Sequence, residues 1–348
     1  MFALTFRDVL QVAFEIVPDA ELLSPTDAIV QVEMAGLCGS DLHPYWGREK
    51  GLDPGTVMGH EFVGRIVAIG DGVQKFSTGD VVFAPFSTSC GQCYYCTNGL
   101  PSRCPHGHLF GWRSQQQGLH GGQGQYVRVP MADGTLLRVP PTASHELALL
   151  LGDNLSTGHY CTELAEVHPG GTYAVIGCGN VGLMAIVAAR LKGCENLIAI
   201  DPVPERRELA QQLGARALAP DADVMAEVQQ QSGGRGADGV LELVGMPDAQ
   251  RLAYELVRPG GTIATVGCHC DQTFAFSPVQ AYDKNLSYRT GRCPARYYME
   301  QLLERPDIQA LDVQPFITHR FDLSEGTRAY EIFSSRQEGI VKGVFELR

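Results

Sequence analysis

The stretch TYAVIGCGNVG, residues 172–182, decides the fold. Tyr173 to Ile176 are apolar or β-prone and run into Gly177, Gly179 and Gly182 at G-x-G-x-x-G spacing. A helical pattern, LMAIVAARLKG, follows at once and closes at Gly193. A second strand, Leu197 to Ile200, then ends on Asp201. Strand, glycine turn, helix, strand and acid in this order predict a dinucleotide-binding unit. The first glycine permits the tight turn, the second admits the pyrophosphate, and the third lets helix lie on strand. At Asn180 and Val181 the helix N-terminus offers N–H groups and a positive dipole end to the phosphates. A glycine turn alone can be purely structural; both strands, the helix and the acid in register argue for binding. The Asp201 carboxylate would accept the ribose hydroxyls and repel a 2′-phosphate, which favours NAD. Arg206 and Arg207 follow and temper that preference, and Arg206 joins the expected cofactor contacts.

The rest of the chain can bury a large core. It has 348 residues, 44% hydrophobic and 19% charged, enough for two ordinary domains. A net charge of −12 argues against nucleic acid or an anionic membrane surface as partner. The most apolar stretch is the glycine-rich 173–191 region, which reads as nucleotide binding instead of a membrane span. No basic-then-apolar leader opens the sequence, so a cytoplasmic protein is expected. Eleven cysteines, an odd count, fit a reducing compartment with metal ligands better than a disulfide frame.

Upstream, residues 28–35, 62–69 and 80–84 read as short strands punctuated by Gly and Pro. They predict a barrel-like, mostly antiparallel unit up to about residue 150. Residues 145–167 carry a helical pattern interrupted near Gly152 to Gly158. Beyond the glycine turn, helix 205–213, strand 239–244, helix 248–257 (ended by Pro259-Gly260-Gly261) and strand 262–266 alternate. That rhythm predicts a parallel, doubly wound sheet, so the fold class is mixed α/β. After about residue 290 the pattern turns irregular, with Pro294, Pro306 and Pro315. The tail is too short to fold alone and is expected to return to the first domain.

Two sets of residues suggest metal. Cys90, Cys93, Cys96 and Cys104 form C-x2-C-x2-C-x7-C. Four thiolates this close suit tetrahedral zinc in a closed structural site, or an Fe–S cluster. Cys38 in GLCGSDLH and His60 with Glu61 in MGHEFVG form a second, dispersed set. Beside a hydride-carrier site they suggest an open zinc site with a position left for substrate.

Taken together, GLCGSDLH, the GHE of residues 59–61, the four-cysteine lobe, GCGNVG and Asp201 resemble the zinc-dependent medium-chain alcohol dehydrogenases along almost the whole chain. The resemblance implies a GroES-like catalytic domain, residues 1–152 and 290–348, with a structural zinc lobe at about 86–106. It implies a Rossmann NAD-binding domain over 153–289 and two zinc ions per chain. Cys38 and His60 then look like catalytic zinc ligands. Many members supply a third ligand as Cys at the start of the central helix; this sequence reads LGDNLSTGHY there. That is similar to the Asp-containing version of bacterial secondary-alcohol and formaldehyde dehydrogenases, which makes Asp153 the third ligand and Cys161 its rival. Glu61 matches a position that can coordinate zinc when the substrate site is empty, or can support the ligands. Ser40 matches the hydroxyl beside the reacting alcohol, His43 the next relay member, and Asp41 a local support. Lys342 resembles a tail position that approaches the cofactor pyrophosphate.

The implied activity is hydride transfer between a primary or secondary alcohol and NAD. Trp112, in FGWRS, resembles a pocket wall of secondary alcohol dehydrogenases. Those enzymes often use NADP and lack the four-cysteine lobe, and this chain departs on both counts. Formaldehyde, polyol and threonine dehydrogenases are alternative readings, and a nucleotide-sensing zinc protein is the non-enzymatic one. The expected partner is a small alcohol or carbonyl substrate, with no nucleic acid or membrane, in a homotetramer or homodimer.

Overall fold

The computed structural model describes residues 1–221 and 223–347. The chain forms two compact units, Met1–Ser156 with Pro294–Arg348, and Thr157–Cys293.

In the second unit six strands pair in parallel. Their order is Arg216–Leu218, Asn196–Ile200, Thr172–Ile176, Ala237–Glu242, Val257–Thr265 and Ser287–Thr290. The chain thus starts in the middle, winds one way, then returns and winds the other. The reversal falls beside Thr172–Ile176, where open α/β sheets bind their ligands. All five residues of that strand are buried, as a strand covered on both faces requires. Ile176, Ile198, Ile200, Val240 and Ile263 fill the core around it. Gly177 sits at φ 90°, in the left-handed region. A Cβ on Gly182 would lie 1.9 Å from the Gly177 carbonyl oxygen. Only a glycine lets helix Asn180–Leu191 start that close to the strand it follows.

One local expectation is corrected. Pro259-Gly260-Gly261 does not separate helix from strand. Helix Pro247–Leu256 gives way at once to strand Val257–Thr265, which runs through all three residues. Gly260 at φ 71° and a register shift opposite Ala237 to Gly239 absorb the irregularity.

In the first unit the sheet order is His319–Asp322, Gly343–Glu346, Ala28–Leu37, Phe62–Ile69, Val81–Phe83 and Leu137–Arg138, and Tyr126–Val129 also pairs with Ala28–Leu37. A hairpin, Phe2–Asp8 with Gln11–Ile16, precedes it. The tail strand Gly343–Glu346 lies antiparallel to Ala28–Leu37 and is sealed by Phe345 in a core that holds Leu4, Val30, Leu37, Phe62 and Ile66. The region after residue 290 is more regular than its prolines suggested. Pro294 is the N-cap of helix Ala295–Leu303, and Pro306 opens helix Pro306–Gln309. At a helix start the missing N–H removes no intrahelical bond, so these prolines begin helices. Among the described residues no helix is long and apolar enough to cross a membrane.

Gly64 marks the tightest crossing of the central pair of strands. A Cβ there would lie 2.0 Å from the Gln31 carbonyl oxygen, which is backbone and cannot swing aside. Gly64→Ala should therefore lower stability by about 1–3 kcal/mol, the usual cost of overpacking. Urea unfolding of the two proteins checks this; an unshifted midpoint would show that the strands part freely.

Candidate active site and metal centres

The strand Ala28–Leu37 delivers Cys38 in extended conformation, and the chain then turns through Gly39–Asp41 into the short helix Leu42–Tyr45. Asp41 organises this turn. Its Oδ2 accepts the Cys38 N–H at 2.9 Å, and its Oδ1 lies 3.0 Å from His60 Nδ1. His60 Nε2 is left to face the centre, the arrangement a carboxylate imposes on a metal-binding histidine. Asp153 falls in the break between helices His145–Gly152 and Asn154–Leu164, at φ −143° and ψ −73°. Gly152 makes the approach possible, since a Cβ there would lie 2.5 Å from the Ala84 carbonyl oxygen.

These elements bring Cys38, His60, Glu61 and Asp153 together, with ligand atoms all within 4.8 Å of one another. Cys38 Sγ lies 3.4 Å and His60 Nε2 3.3 Å from Asp153 Oδ2. Ligands at zinc distances in a tetrahedron stand about 3.3–3.6 Å apart, so the three atoms fit one ion. Ser40 Oγ joins them, 3.4 Å from Cys38 Sγ and 3.3 Å from His60 Nε2. His43 lies three residues further on, buried in the short helix. Cys161 is elsewhere: it is fully buried in the second unit, where its thiol donates to the Ala264 carbonyl at 3.6 Å.

The charges here are buried. Burial pushes the Cys38 thiol up, and the Asp153 and Glu61 carboxylates push it further. Burial pulls His60 down, but Asp41, Asp153 and Cys38 outweigh it and hold the imidazole well above its ordinary value. An excess of negative charge at this point is what a divalent cation would neutralise.

Glu61 is held by two groups that the sequence reading did not connect to it. Asn154 Nδ2 donates to its Oε1 at 2.9 Å, and Lys342 Nζ pairs with its Oε2. Lys342 is fully buried. Burial works against its charge, yet Glu61, with Cys38 and Asp153 beyond it, holds its pKa above the ordinary value. This corrects the expected approach of Lys342 to a pyrophosphate: its ammonium is engaged at Glu61. Gly36 completes the slot, since a Cβ there would strike the Glu61 carboxylate at 1.8 Å. Asn154 could have drawn notice as a polar neighbour of Asp153; nothing local marked Lys342.

The four lobe cysteines also converge. Sγ separations are 4.0 Å for Cys90–Cys96, 3.5 Å for Cys93–Cys96 and 3.9 Å for Cys93–Cys104. Four sulfurs about 2.3 Å from a tetrahedral zinc stand about 3.8 Å apart, so the quartet fits that ion. The thiols resist sharing negative charge. The Cys96 backbone N–H holds Cys93 down to about 7, while burial and the Cys93 sulfur push Cys96 up to about 12. Removing all four protons requires a cation at the centre.

At the glycine turn the space is shaped for a ligand. A Cβ on Gly179 would meet only Arg206 Nη1, at 3.8 Å, whereas Gly177 and Gly182 are hemmed in. Asp201 is buried at the end of Asn196–Ile200. Its carboxylate accepts the Cys178 N–H and the Val203 N–H, each at 2.8 Å, and stands 3.9 Å from Arg206 Nη1. Trp112 is half-buried and packs against the core of the first unit.

Residues 24–141 match the alcohol dehydrogenase GroES-like domain, and residues 180–306 the zinc-binding dehydrogenase family. Zinc-type alcohol dehydrogenase B of Aspergillus flavus is 37% identical over 96% of this chain and 79% of its own. An NADP-dependent isopropanol dehydrogenase of Thermoanaerobacter brockii is 29% identical over 92% of each chain. The solved structure of an alcohol dehydrogenase from Thermus sp. ATN1 superposes with a TM-score of 0.94 at 36% identity, covering 100% of both chains. With its GroES-like first unit, its parallel Rossmann sheet and its two clusters of candidate metal ligands, the chain belongs to the zinc-dependent medium-chain alcohol dehydrogenases.

Proposed function

We propose that the chain oxidises a primary or secondary alcohol to the aldehyde or ketone with NAD. Cys38, His60 and Asp153 would hold one zinc, and Cys90, Cys93, Cys96 and Cys104 a second. The observation that carries this reading is the convergence of Cys38, His60 and Asp153 with the Ser40 hydroxyl on the same ligand atoms. Three protein ligands leave a tetrahedral ion one position for substrate. When bound, zinc would supply Lewis-acid polarisation of the alcohol oxygen and NAD the hydride acceptor.

The chain's own residues do the rest. Ser40 Oγ accepts the hydroxyl proton of the alcohol and passes its own towards His43, which leads to water. Asp41 keeps His60 in the tautomer that presents Nε2. Glu61 supports the ligands, because Asn154 and Lys342 engage both of its oxygens. Gly177, Gly179, Asn180, Val181 and Gly182 cradle the pyrophosphate, and Asp201 accepts the ribose hydroxyls. Arg206 lies close enough to Asp201 and Gly179 to neighbour the same ribose. A nucleotide-sensing protein needs no hydroxyl at its metal ligands, so the enzyme reading is preferred. Formaldehyde, polyol and threonine substrates require the same ligands and differ only in the pocket. We further infer a cytoplasmic protein, supported by the odd count of eleven cysteines and the thiolate-rich lobe, and a homodimer or homotetramer. The edge position of Ser287–Thr290 in the six-stranded sheet is compatible with either assembly.

The central experiment is NAD reduction across a panel of alcohols, with zinc measured on each protein. Wild type should carry two zinc ions per chain and reduce NAD with at least one alcohol. Ser40→Ala should lose most turnover with both ions retained. One zinc or none after metal-replete expression, or full turnover by Ser40→Ala when chemistry limits the rate, would overturn the reading.

The third ligand can be tested directly. Asp153→Asn should lose the catalytic ion or at least 90% of activity, whereas Cys161→Ser should keep both within about twofold. Elemental analysis with steady-state kinetics decides, and the reverse ranking would move the ligand to Cys161.

Cofactor choice rests on Asp201. Wild type should prefer NAD, and Asp201→Gly should weaken NAD while relieving the repulsion of NADP, narrowing the ratio at least tenfold. The ratio of kcat/KM for the two cofactors reads this out. A wild type that prefers NADP would assign the ribose site to Arg206.

A further inference from the structure

A cavity of about 570 Å³ opens in the first unit, at the foot of the N-terminal hairpin. The metal ligands and the glycine turn take no part in it. Its lining includes Arg113, His120, Arg128, Leu119 and Val127. The polar groups at its wall have a donor too many. The Val57 backbone N–H donates to His120 Nδ1 at 3.0 Å. Arg113 Nη1 lies 3.0 Å from His120 Nε2. A neutral imidazole has one acceptor nitrogen and one N–H, and the guanidinium has no acceptor at all. The Val57 amide is backbone and fixed, so Nδ1 is the acceptor and Nε2 carries the hydrogen. The Nε2–H then faces the Arg113 N–H, donor against donor.

Protonating the ring would add a donor, and the site resists that as well. His120 is an exposed residue, yet partial desolvation, Arg113 and Arg128 together hold it down to about 4. Nor do neighbouring acids resolve the conflict as they stand. Asp19 is bonded to the N-terminal amine at 2.6 Å, and Asp27 takes Arg128 Nη1 at 3.0 Å. Glu21 also lines the cavity, and its carboxylate is the natural competitor for the two donors. An oxygen acceptor that drew the Arg113 side chain off the ring would take an arginine N–H and the Nε2–H at once, and the first would be charge-assisted. Leu23, Leu119 and Val127 are apolar members of the same lining.

We propose that this cavity binds a small organic carboxylate, whose oxygens accept from Arg113 and His120 together and whose apolar body rests on Leu119 and Val127. The site is independent of the dehydrogenase chemistry proposed above. It is tested by calorimetric titration of the zinc-loaded protein with butyrate and, separately, with inorganic phosphate. Butyrate should bind saturably, one per chain. Arg113→Met should weaken it at least tenfold and leave alcohol-dependent NAD reduction unchanged. His120→Gln, a second variant, should weaken it several-fold. Phosphate binding as tightly as butyrate would overturn the apolar half of the assignment. Absence of saturable heat would show that water or Glu21 fills the donors, and would overturn the whole. So would butyrate binding that survives Arg113→Met and disappears in Cys38→Ser, since that places the carboxylate at the metal centre.

Discussion

Buried negative charge is the constraint around which the first unit is built. Cys38, Asp41, Glu61 and Asp153 are each less than 9% exposed and lie around one point. An ionised carboxylate out of water is costly unless it is paired or bound to a cation. Each group here has its compensation. Asp41 takes the Cys38 N–H and the His60 ring nitrogen. Glu61 takes Lys342 and Asn154. Asp153 takes the Asn154 amide N–H at 3.2 Å and faces His60 Nε2, with the Cys38 thiol 3.4 Å away, and a dication would neutralise the charge that remains. The sheet follows from this need. Lys342 can reach Glu61 only because the tail strand Gly343–Glu346 lies against Ala28–Leu37, whose end carries Cys38. The return of the tail closes the core and also delivers the lysine.

The second unit has a different logic, in which space matters more than charge. Gly177 is required by its left-handed backbone and Gly182 by a close backbone contact, whereas the position of Gly179 is open. A turn crowded on one side and empty on the other is shaped by what is to enter it. The lobe cysteines show a third arrangement. Their sulfurs already stand at the separations of a tetrahedron, and what opposes full deprotonation is burial first and the neighbouring sulfurs second. A closed metal site of that kind contributes its binding energy to folding.

What could be read from the sequence depended on how local the signal was. The glycine turn and the four cysteines each lie within 15 residues, so spacing alone carried them. Cys38, His60 and Asp153 lie up to 115 residues apart. No periodicity joins them: residue type beside a hydride-carrier site grouped Cys38 with His60, and only family resemblance added Asp153. Lys342 was misread for the same reason. GIVKGVF holds nothing that says whether its lysine faces a phosphate or a carboxylate; the pairing with Ala28–Leu37 decides. Pro294 and Pro306 misled in the opposite sense, because a proline that ends one pattern also opens the next helix. The cavity beside His120 could not have been foreseen, since its argument rests on which atoms face which.

The Lys342–Glu61 pair bears on how Glu61 serves the metal. To reach an ion, Glu61 would have to turn its carboxylate away from Lys342 and Asn154. Gly36 leaves room for the carboxylate where it is, and its missing Cβ would otherwise fill that slot. Parting a buried pair leaves two charges uncompensated, at a cost of about 3–5 kcal/mol when one partner is lost outright. A metal–carboxylate bond could offset that cost only if Lys342 found another anion. The nearest are Cys38 and Asp153, whose charge already raises the lysine pKa from beyond Glu61. Those two are the groups a bound dication would neutralise. Metal binding therefore removes the alternatives open to Lys342 and tightens its hold on Glu61. On this reasoning the glutamate stays with the lysine, which supports Asp153 as the proposed third ligand.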